Sequence, residues 1–393
     1  MHLSLRILVE ALTAAGTLGC LFFYGLALLG IASFLSARRK QNAYAAEVLP
    51  PVSILKPLKG IDPEIWESFC SHAEQQYPEF EIIFGVSDAA DPACEIVRKI
   101  QAKYPACPIK LAVCNRILGT NVKVSTLAQM VPEARYEILV VNDSDIRVQP
   151  DYLRQIAAPL NDPEIGLVTC LYRGKAANTL GSRLEALGIS ADFVPGVLTA
   201  RLLENGLHFG LGSTLVFRRK DLASIGGFAS ILDYLADDYE LGRRIAALGK
   251  RVELSATTVA TLLHPYTLGE FWRHQLRWAR TIRDARRWGY LGLLFTFGLP
   301  WALAALIASS GATWAWALFA LTVSARLLVG LSTSLTVLQD RRILQDIWLL
   351  PLRDLIAPIV WGAGLVGSRI RWRGDDFYLK QGRLFKIPPS IPN

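Results

Sequence analysis

The chain predicts an α/β domain with a mostly parallel sheet, carried between apolar segments long enough to enter a membrane. Two observations predict this. Short apolar runs recur at residues 52–55, 82–86, 138–141, 167–170 and 214–217, with helical stretches between them. Strands alternating with helices build a mostly parallel sheet. Long apolar runs stand at both ends of the chain, at 5–35 and beyond 290. A third observation bears on function. Asp88, Asp91, Asp143, Asp145, Asp237 and Asp238 stand just after apolar runs or at the start of a helical stretch. In such sheets ligands bind beyond the carboxyl ends of the strands.

Composition agrees. Of 393 residues, 52% are hydrophobic and 19% charged, and mean hydropathy is +0.30, which favours one soluble domain plus membrane segments over two soluble domains. The net charge of +8 does not indicate nucleic acid, because the basic residues form no stripe. They cluster beside the apolar runs, at 38–40, 280–287, 341–342 and 369–373, where anionic lipid headgroups are met. Six scattered cysteines have neither CxxC nor zinc-ligand spacing, so reduced, structural thiols are expected.

In chain order, residues 1–37 are expected to be an uncleaved transmembrane anchor. The run exceeds the ~20 residues that cross a bilayer, is longer than a signal-peptide core and has no clean cleavage site. A basic juxtamembrane linker, 38–50, follows. Three basic residues after the run and one before it place the next domain in the cytoplasm. That domain is expected over 51–265. Its helices at 63–75 and 92–103 begin with Pro63 and Pro92, each after an aspartate at the capping position. In the helix at 237–248, Leu241, Ile245 and Leu248 share a face. Residues 266–288 are rich in aromatics and arginines and read as an amphipathic helix at the membrane surface. Residues 289–368 hold apolar runs at 290–308 and 313–338. A third run, 347–367, is interrupted by Pro351, Arg353, Asp354 and Pro358 and is expected to re-enter or lie on the membrane. The basic tail, 369–393, is expected in the cytoplasm.

Each acidic signal has a plain reading beside the chemical one. Asp143-Ser144-Asp145 follows a buried strand, so its carboxylates reach the ligand edge. There they suit Mg2+ or Mn2+, hard cations that bridge one or two carboxylates to substrate phosphates. Asp88 and Asp91 can accept hydrogen bonds from a nucleoside, or simply cap the next helix. Asp237 and Asp238 start a helix where one cap would suffice, which leaves one carboxylate to remove a proton. His274, Arg277 and Trp278 share a helix face. Arg277 suits a diphosphate and Trp278 a sugar or lipid, and a membrane-interface Trp–Arg belt is the plain alternative. No P-loop, GxGxxG, HExxH or GxSxG is present.

These stretches, taken in order, resemble the ceramide glucosyltransferase family of inverting GT-A glycosyltransferases. The resemblance rests on VSILKPLKG at 52–60, Tyr77-Pro78, Asp91-Pro92, 121–123, Asp143-Ser144 with 146–148, Gly226-Gly227, Asp238-Tyr239, Arg277-Trp278 and 372–374. It implies a GT-A, Rossmann-like domain that uses a UDP-sugar. Asp91 with Asp88, Lys123, His274, Arg277 and Trp278 would bind the donor. Asp143 would contact metal and diphosphate, and Asp238 would be the general base. The family's closing motif, [Q/R]xxRW, begins here with His274, a departure; Asp145 is not required by the animal members. DSDIRV at 143–148, VTCLYRG at 168–174 and HQLRWAR at 274–280 resemble the bacterial hopanoid-biosynthesis branch. That branch implies transfer of N-acetylglucosamine from UDP-GlcNAc to bacteriohopanetetrol at the bacterial cytoplasmic membrane. The rival readings are ceramide as acceptor with UDP-glucose, a processive polysaccharide synthase, and a non-catalytic membrane scaffold. The few apolar runs at the C-terminus argue against the synthase, which needs a transmembrane channel.

Overall fold

The computed structural model describes residues 2–43 and 48–388. Part of the expected linker and the last residues of the tail lie outside them. The chain forms two compact units: a sheet unit of residues 37–177, 204–264 and 369–393, and a helical unit of residues 1–36, 178–203 and 265–368.

The sheet unit is built on β1 (Val52–Leu58), β2 (Phe80–Val86), β3 (Ile109–Val113), β4 (Ile138–Val141), β5 (Ile146–Arg147), β6 (Ile165–Lys175), β7 (Leu215–Arg218) and β8 (Arg251–Leu262). Their order across the sheet is β3-β2-β1-β4-β7-β6-β8-β5. The pairs β2–β3, β1–β2, β1–β4 and β6–β8 are parallel, while β7 runs antiparallel between β4 and β6 and β5 antiparallel to β8. β1 and β4 are buried along their whole length, as strands covered on both faces are. The five expected strands are all present. β3, β5 and β8 come in addition, because their polar residues hide the apolar pattern. A second sheet, β9 (Arg369–Trp372), β10 (Asp375–Lys380) and β11 (Arg383–Lys386), is antiparallel and lies within the expected tail. Ile370, Phe377, Leu379 and Leu384 pack with Leu235 beneath it.

Among the described residues, three helices are long and apolar enough to cross a membrane: Leu5–Gln41, Leu180–Leu203 and Thr313–Val337. The second lies inside the range expected for the soluble domain. Arg183, Glu185, Asp192 and Arg201 break up its apolar pattern, but each finds a partner within the helical unit: Arg183 Nε donates to Asp346 (2.7 Å), Gln275 Nε2 to Glu185 (2.6 Å), Arg326 Nη2 to Asp192 (2.6 Å), and Arg201 Nη1 to Ser33 Oγ (3.5 Å). The run expected at 290–308 is instead broken: Arg287–Thr296 and Gly298–Ala308 meet at 54°. Pro300, in the second piece's first turn, cannot donate the hydrogen bond that would continue a straight helix. The interrupted run near the C-terminus becomes the 16-residue helix Leu350–Leu365, with Pro358 inside it and Arg353 and Asp354 buried.

Candidate active site

Register brings the acidic residues to one edge. In β1, Leu58 lies opposite Val86 of β2, and Leu55 opposite Val141 of β4, so all three strands deliver their carboxyl ends there. β7 starts at the same edge, with Leu215 opposite Val141. β5 puts Ile146 opposite Thr261 near the end of β8. The segments 59–62, 87–91, 142–145, 210–214 and 261–264 therefore gather around one region.

At its centre is an ion-paired cluster. Lys123 Nζ lies 2.7 Å from Asp143 Oδ1 and 3.2 Å from Asp237 Oδ2. Lys123 stands in the first turn of the helix Val122–Met130. Its cap, Asn121, accepts a hydrogen bond from Val124 N (3.2 Å), donates through Nδ2 to Tyr234 O (2.7 Å) and through its backbone N to Leu232 O (2.8 Å). One side chain thus ties the helix that carries Lys123 to the segment leading into Asp237. Burial would lower the Lys123 pKa, but Asp143 and Asp237 outweigh it and hold the ammonium charged. Burial raises the Asp237 carboxyl despite Lys123. Burial and then Asp237 push Asp238 up to about 6. Surplus negative charge is concentrated here.

Asp238 opens the helix Asp237–Ala247 and stands opposite the loop before β7. Gly242 has no room for a side chain: a Cβ there would run into the backbone of Phe209 and Gly210, so the helix presses directly on that loop. Gly212 faces the carboxylates. A Cβ at this position would lie 3.0 Å from Asp238 Oδ2 and 3.6 Å from Asp143 Oδ2, so both oxygens face the space a methyl would take. Asp238 Oδ1 accepts from Tyr239 N at 2.8 Å, which leaves Oδ2 as the atom turned to that space.

Asp145 lies beside this cluster, with Oδ2 accepting from Thr261 Oγ1 at 2.7 Å. Burial, with Asp143, raises its pKa to about 6. Asp62 was expected to cap the helix at 63–75. The helix instead starts at Ile65 after a left-handed Glu64, and the Asp62 carboxylate accepts from Ser144 Oγ and sits 3.2 Å from His264 Nε2. Burial would raise the Asp62 pKa, but the hydrogen bonds from His264 and Ser144 lower it, and Asp62 in turn raises His264. Beneath lies Lys56, fully buried in β1, whose Nζ donates to Asp143 O at 2.9 Å. Burial lowers it to about 7, against Asp145, Asp143 and Asp62. Its other neighbour is buried His72, 3.5 Å away through Nε2, whose Nδ1 lies 2.8 Å from Ser68 O; burial and then Lys56 keep this ring neutral.

Asp91 is a structural tie as well as a candidate ligand. Its carboxylate accepts from Gly60 N (2.9 Å) and from Ala93 N (2.9 Å), joining the end of β1 to the helix Ala93–Lys103. Asp88 is exposed and accepts from Ala90 N (2.9 Å). His274, Arg277 and Trp278 belong to the helical unit, on the helix Leu268–Ala285, which Thr267 and Glu270 close with a reciprocal cap. His274 Nδ1 lies 3.3 Å from the buried Glu185, and Trp278 packs edge-on against Phe193. Lys123, Asp143, Asp145 and Asp238 therefore come together in the sheet unit, with Asp88 and Asp91 at the same edge. Lys56, Asp62, His264 and Gly212 complete that neighbourhood; none was a candidate site residue from the sequence, where Asp62 read only as a cap and Lys56 only as part of the 52–60 stretch.

No three carboxylate, imidazole or thiolate groups among the described residues form a ready-made metal cage. The residues do fit a cation shared with a ligand. Asp143 is partly exposed and Asp145 is adjacent, its carboxyl raised by burial and then by Asp143, so two neighbouring carboxylates with one side open to a ligand are available to a hard cation.

A curled, mostly parallel sheet with acidic groups beyond its strand ends defines the GT-A class of glycosyltransferase folds. Within it, the chain belongs to glycosyl transferase family 21, whose model matches residues 18–385. Ceramide glucosyltransferase 1 of Caenorhabditis elegans is 23% identical over 396 aligned residues, covering 95% of this chain and 82% of that protein. An N-acetylglucosaminyltransferase of Rhizobium leguminosarum bv. viciae is 25% identical over 250 residues, 60% of this chain and 57% of that protein. Among solved structures, the mannosyltransferase PcManGT from Pyrobaculum calidifontis, in complex with GDP-Man and Mn2+, shares the fold. Its TM-score is 0.51 and its identity 19%, over 91% of this chain and 97% of that one.

Proposed function

We propose that this glycosyltransferase moves a sugar from a UDP-sugar to a hydroxyl of a membrane lipid in one inverting displacement. The observation that carries the chemistry is the pair of carboxylate oxygens, Asp238 Oδ2 and Asp143 Oδ2, facing one space over Gly212. Asp238 Oδ2 takes the proton of the acceptor hydroxyl. The freed oxygen bonds to the anomeric carbon as the bond to the diphosphate oxygen breaks, and that electron pair leaves with UDP. A carboxylate with a pKa near 6 is a stronger base than an ordinary one, yet it is mostly ionised at pH 7. An α-linked donor thus gives a β-glycoside.

Asp143, with Asp145, is assigned to hold Mg2+ or Mn2+, which would offset the charge of the departing diphosphate. Lys123 keeps Asp143 and Asp237 in place against their mutual repulsion and adds positive charge on the donor side. Asp91 and Asp88 are assigned to the nucleoside. His274, Arg277 and Trp278 are assigned to the donor by the family motif, and His274 is where the chain departs from it.

For the particular substrates, we favour UDP-GlcNAc and bacteriohopanetetrol. This reading is supported by the hopanoid-like stretches around Asp143, Thr169 and His274 and by the likeness to an N-acetylglucosaminyltransferase. The second reading, ceramide with UDP-glucose, is favoured by the long alignment with a ceramide glucosyltransferase. The apolar helices support a membrane location and the basic cluster at 38–40 a cytoplasmic place for the residues after it; a bacterial cytoplasmic membrane goes with the hopanoid reading.

The test is Asp238→Asn in the purified full chain. Transfer to bacteriohopanetetrol and to ceramide should be lost, while calorimetry shows UDP-sugar still bound. Normal turnover by the Asn variant would sink the assignment of the base.

A further inference from the structure

We infer that Asp192, in the helical unit, is a recognition site for the hydroxyl-bearing head of the lipid acceptor. The inference rests on the lipid-acceptor reading above and deepens it. Asp192 lies in the segment Ile189–Phe193, where the apolar helix Leu180–Leu203 widens into a π-helical turn. Such turns displace backbone hydrogen bonds and often mark functional positions. The Ala191 carbonyl is taken by Arg326 Nη1 at 2.5 Å.

Four charges meet here inside apolar helices. Arg326 Nη2 donates to Asp192 Oδ1 (2.6 Å) and to Asp354 Oδ1 (2.6 Å), and its Nε also reaches Asp354 (3.0 Å). Arg353 Nε donates to Asp192 Oδ2 at 3.1 Å. The Arg353 guanidinium lies against Gly188, where a Cβ would be 2.7 Å from Nη2, and over the ring of Phe271, 5.8 Å from its centroid. Ionisable groups in such helices are expensive and are kept for a function.

Three of the four are closed off and one is open. Side-chain exposure is 6% for Arg326, 9% for Arg353 and 8% for Asp354, but 35% for Asp192. Two guanidinium groups therefore hold a carboxylate whose remaining surface is open. The open surface of the Asp192 carboxylate accepts hydrogen bonds, which suits a donating hydroxyl. Phe193, the next residue, meets Trp278 edge-on with centroids 5.6 Å apart, giving an aromatic wall for the apolar body next to the head. The ligand class is an amphiphile with more than one hydroxyl on its head; an anionic headgroup would be repelled by Asp192.

The test pairs a protein change with a ligand change. The full chain and its Asp192→Asn variant, in phosphatidylcholine nanodiscs, are assayed with bacteriohopanetetrol and with a hopanoid carrying only its terminal hydroxyl. Short-chain ceramide and its analogue lacking the secondary hydroxyl form a second pair. In the wild type, removing hydroxyls should lower kcat/KM at least about tenfold, through acceptor KM. In Asp192→Asn the same removal should cost less than about twofold, with donor KM unchanged. If the variant does not fold, Asp192→Ser takes its place. Equal losses in wild type and variant would overturn the inference. A wild type that glycosylates none of these lipids would instead overturn the functional reading on which it rests.

Discussion

Lys123 is the residue whose removal tests the electrostatics of the site most sharply. Lys123→Met keeps the length of the side chain and deletes its charge, leaving Asp143 and Asp237 without their shared partner. Breaking a buried ion pair from one side costs about 3–5 kcal/mol. Lys123 and Asp237 qualify, with side chains 15% and 9% exposed, but Asp143 is 35% exposed and its share is screened by water. The low end, about 3 kcal/mol, is therefore expected. At about 2–4 °C per kcal/mol for a unit of this size, the sheet unit should melt about 6–12 °C lower at neutral pH. The pH dependence follows from Asp237, which lies above the ordinary carboxylate value even with Lys123 present. Without Lys123 it rises further. A carboxyl with a higher pKa folded than unfolded favours the fold when protonated and disfavours it as pH rises through the folded value. The deficit of the variant should thus be small near pH 5 and full by pH 8. The assay is thermal melting of both proteins in the same detergent at pH 5, 7 and 8, with and without MnCl2. Added Mn2+ should restore part of the loss, since a cation at Asp143 replaces the missing charge. A melting difference that is the same at all three pH values would refute the argument.

Gly212→Ala should leave melting within a few degrees but lower kcat by about 10- to 100-fold. The methyl takes the space that both carboxylates face and pushes Asp238 Oδ2 aside, and small misplacements of a reacting group carry penalties of that order. Gly242→Ala is the contrasting case. Its Cβ meets backbone that cannot step aside, so a melting loss equivalent to about 1–3 kcal/mol or more is expected, read by the same melts. The pH–rate profile should show an acid limb at or below about 6. Asp238 must be ionised to accept a proton, and a cation at Asp143 can only lower its value. A limb above pH 7 would exclude Asp238 as the base.

Much of the sheet unit was legible because β1, β2 and β4 each carry a short, mostly apolar run, and each acid signal stands directly after one or at the start of an amphipathic helix. Asp143 and Asp238 were readable for that reason. Asp62 was not. The sequence Asp62-Pro63 has the form of a helix cap, but the left-handed turn at Glu64 delays the helix and frees the carboxylate for Ser144 and His264. Lys56 sits in an apolar strand, where a lysine usually argues for an exposed edge. Only the fold puts it under the Asp143 carbonyl. The helix Leu180–Leu203 was concealed by its own charges. Glu185 and Asp192 interrupt its apolar run, and their partners Gln275, Arg326 and Arg353 lie about 90 to 160 residues further along the chain. Pairings at that separation leave no local pattern.

The central claim is a single displacement, driven by Asp238, from a UDP-sugar onto a lipid hydroxyl. The most direct measurement is the anomeric configuration, by NMR, of the glycolipid that the purified full chain forms from α-linked UDP-GlcNAc and bacteriohopanetetrol, with UDP-glucose and ceramide run in parallel. A β-linked product from either pair is the predicted result. An α-linked product, or release of free sugar with no glycolipid from either pair, would contradict it.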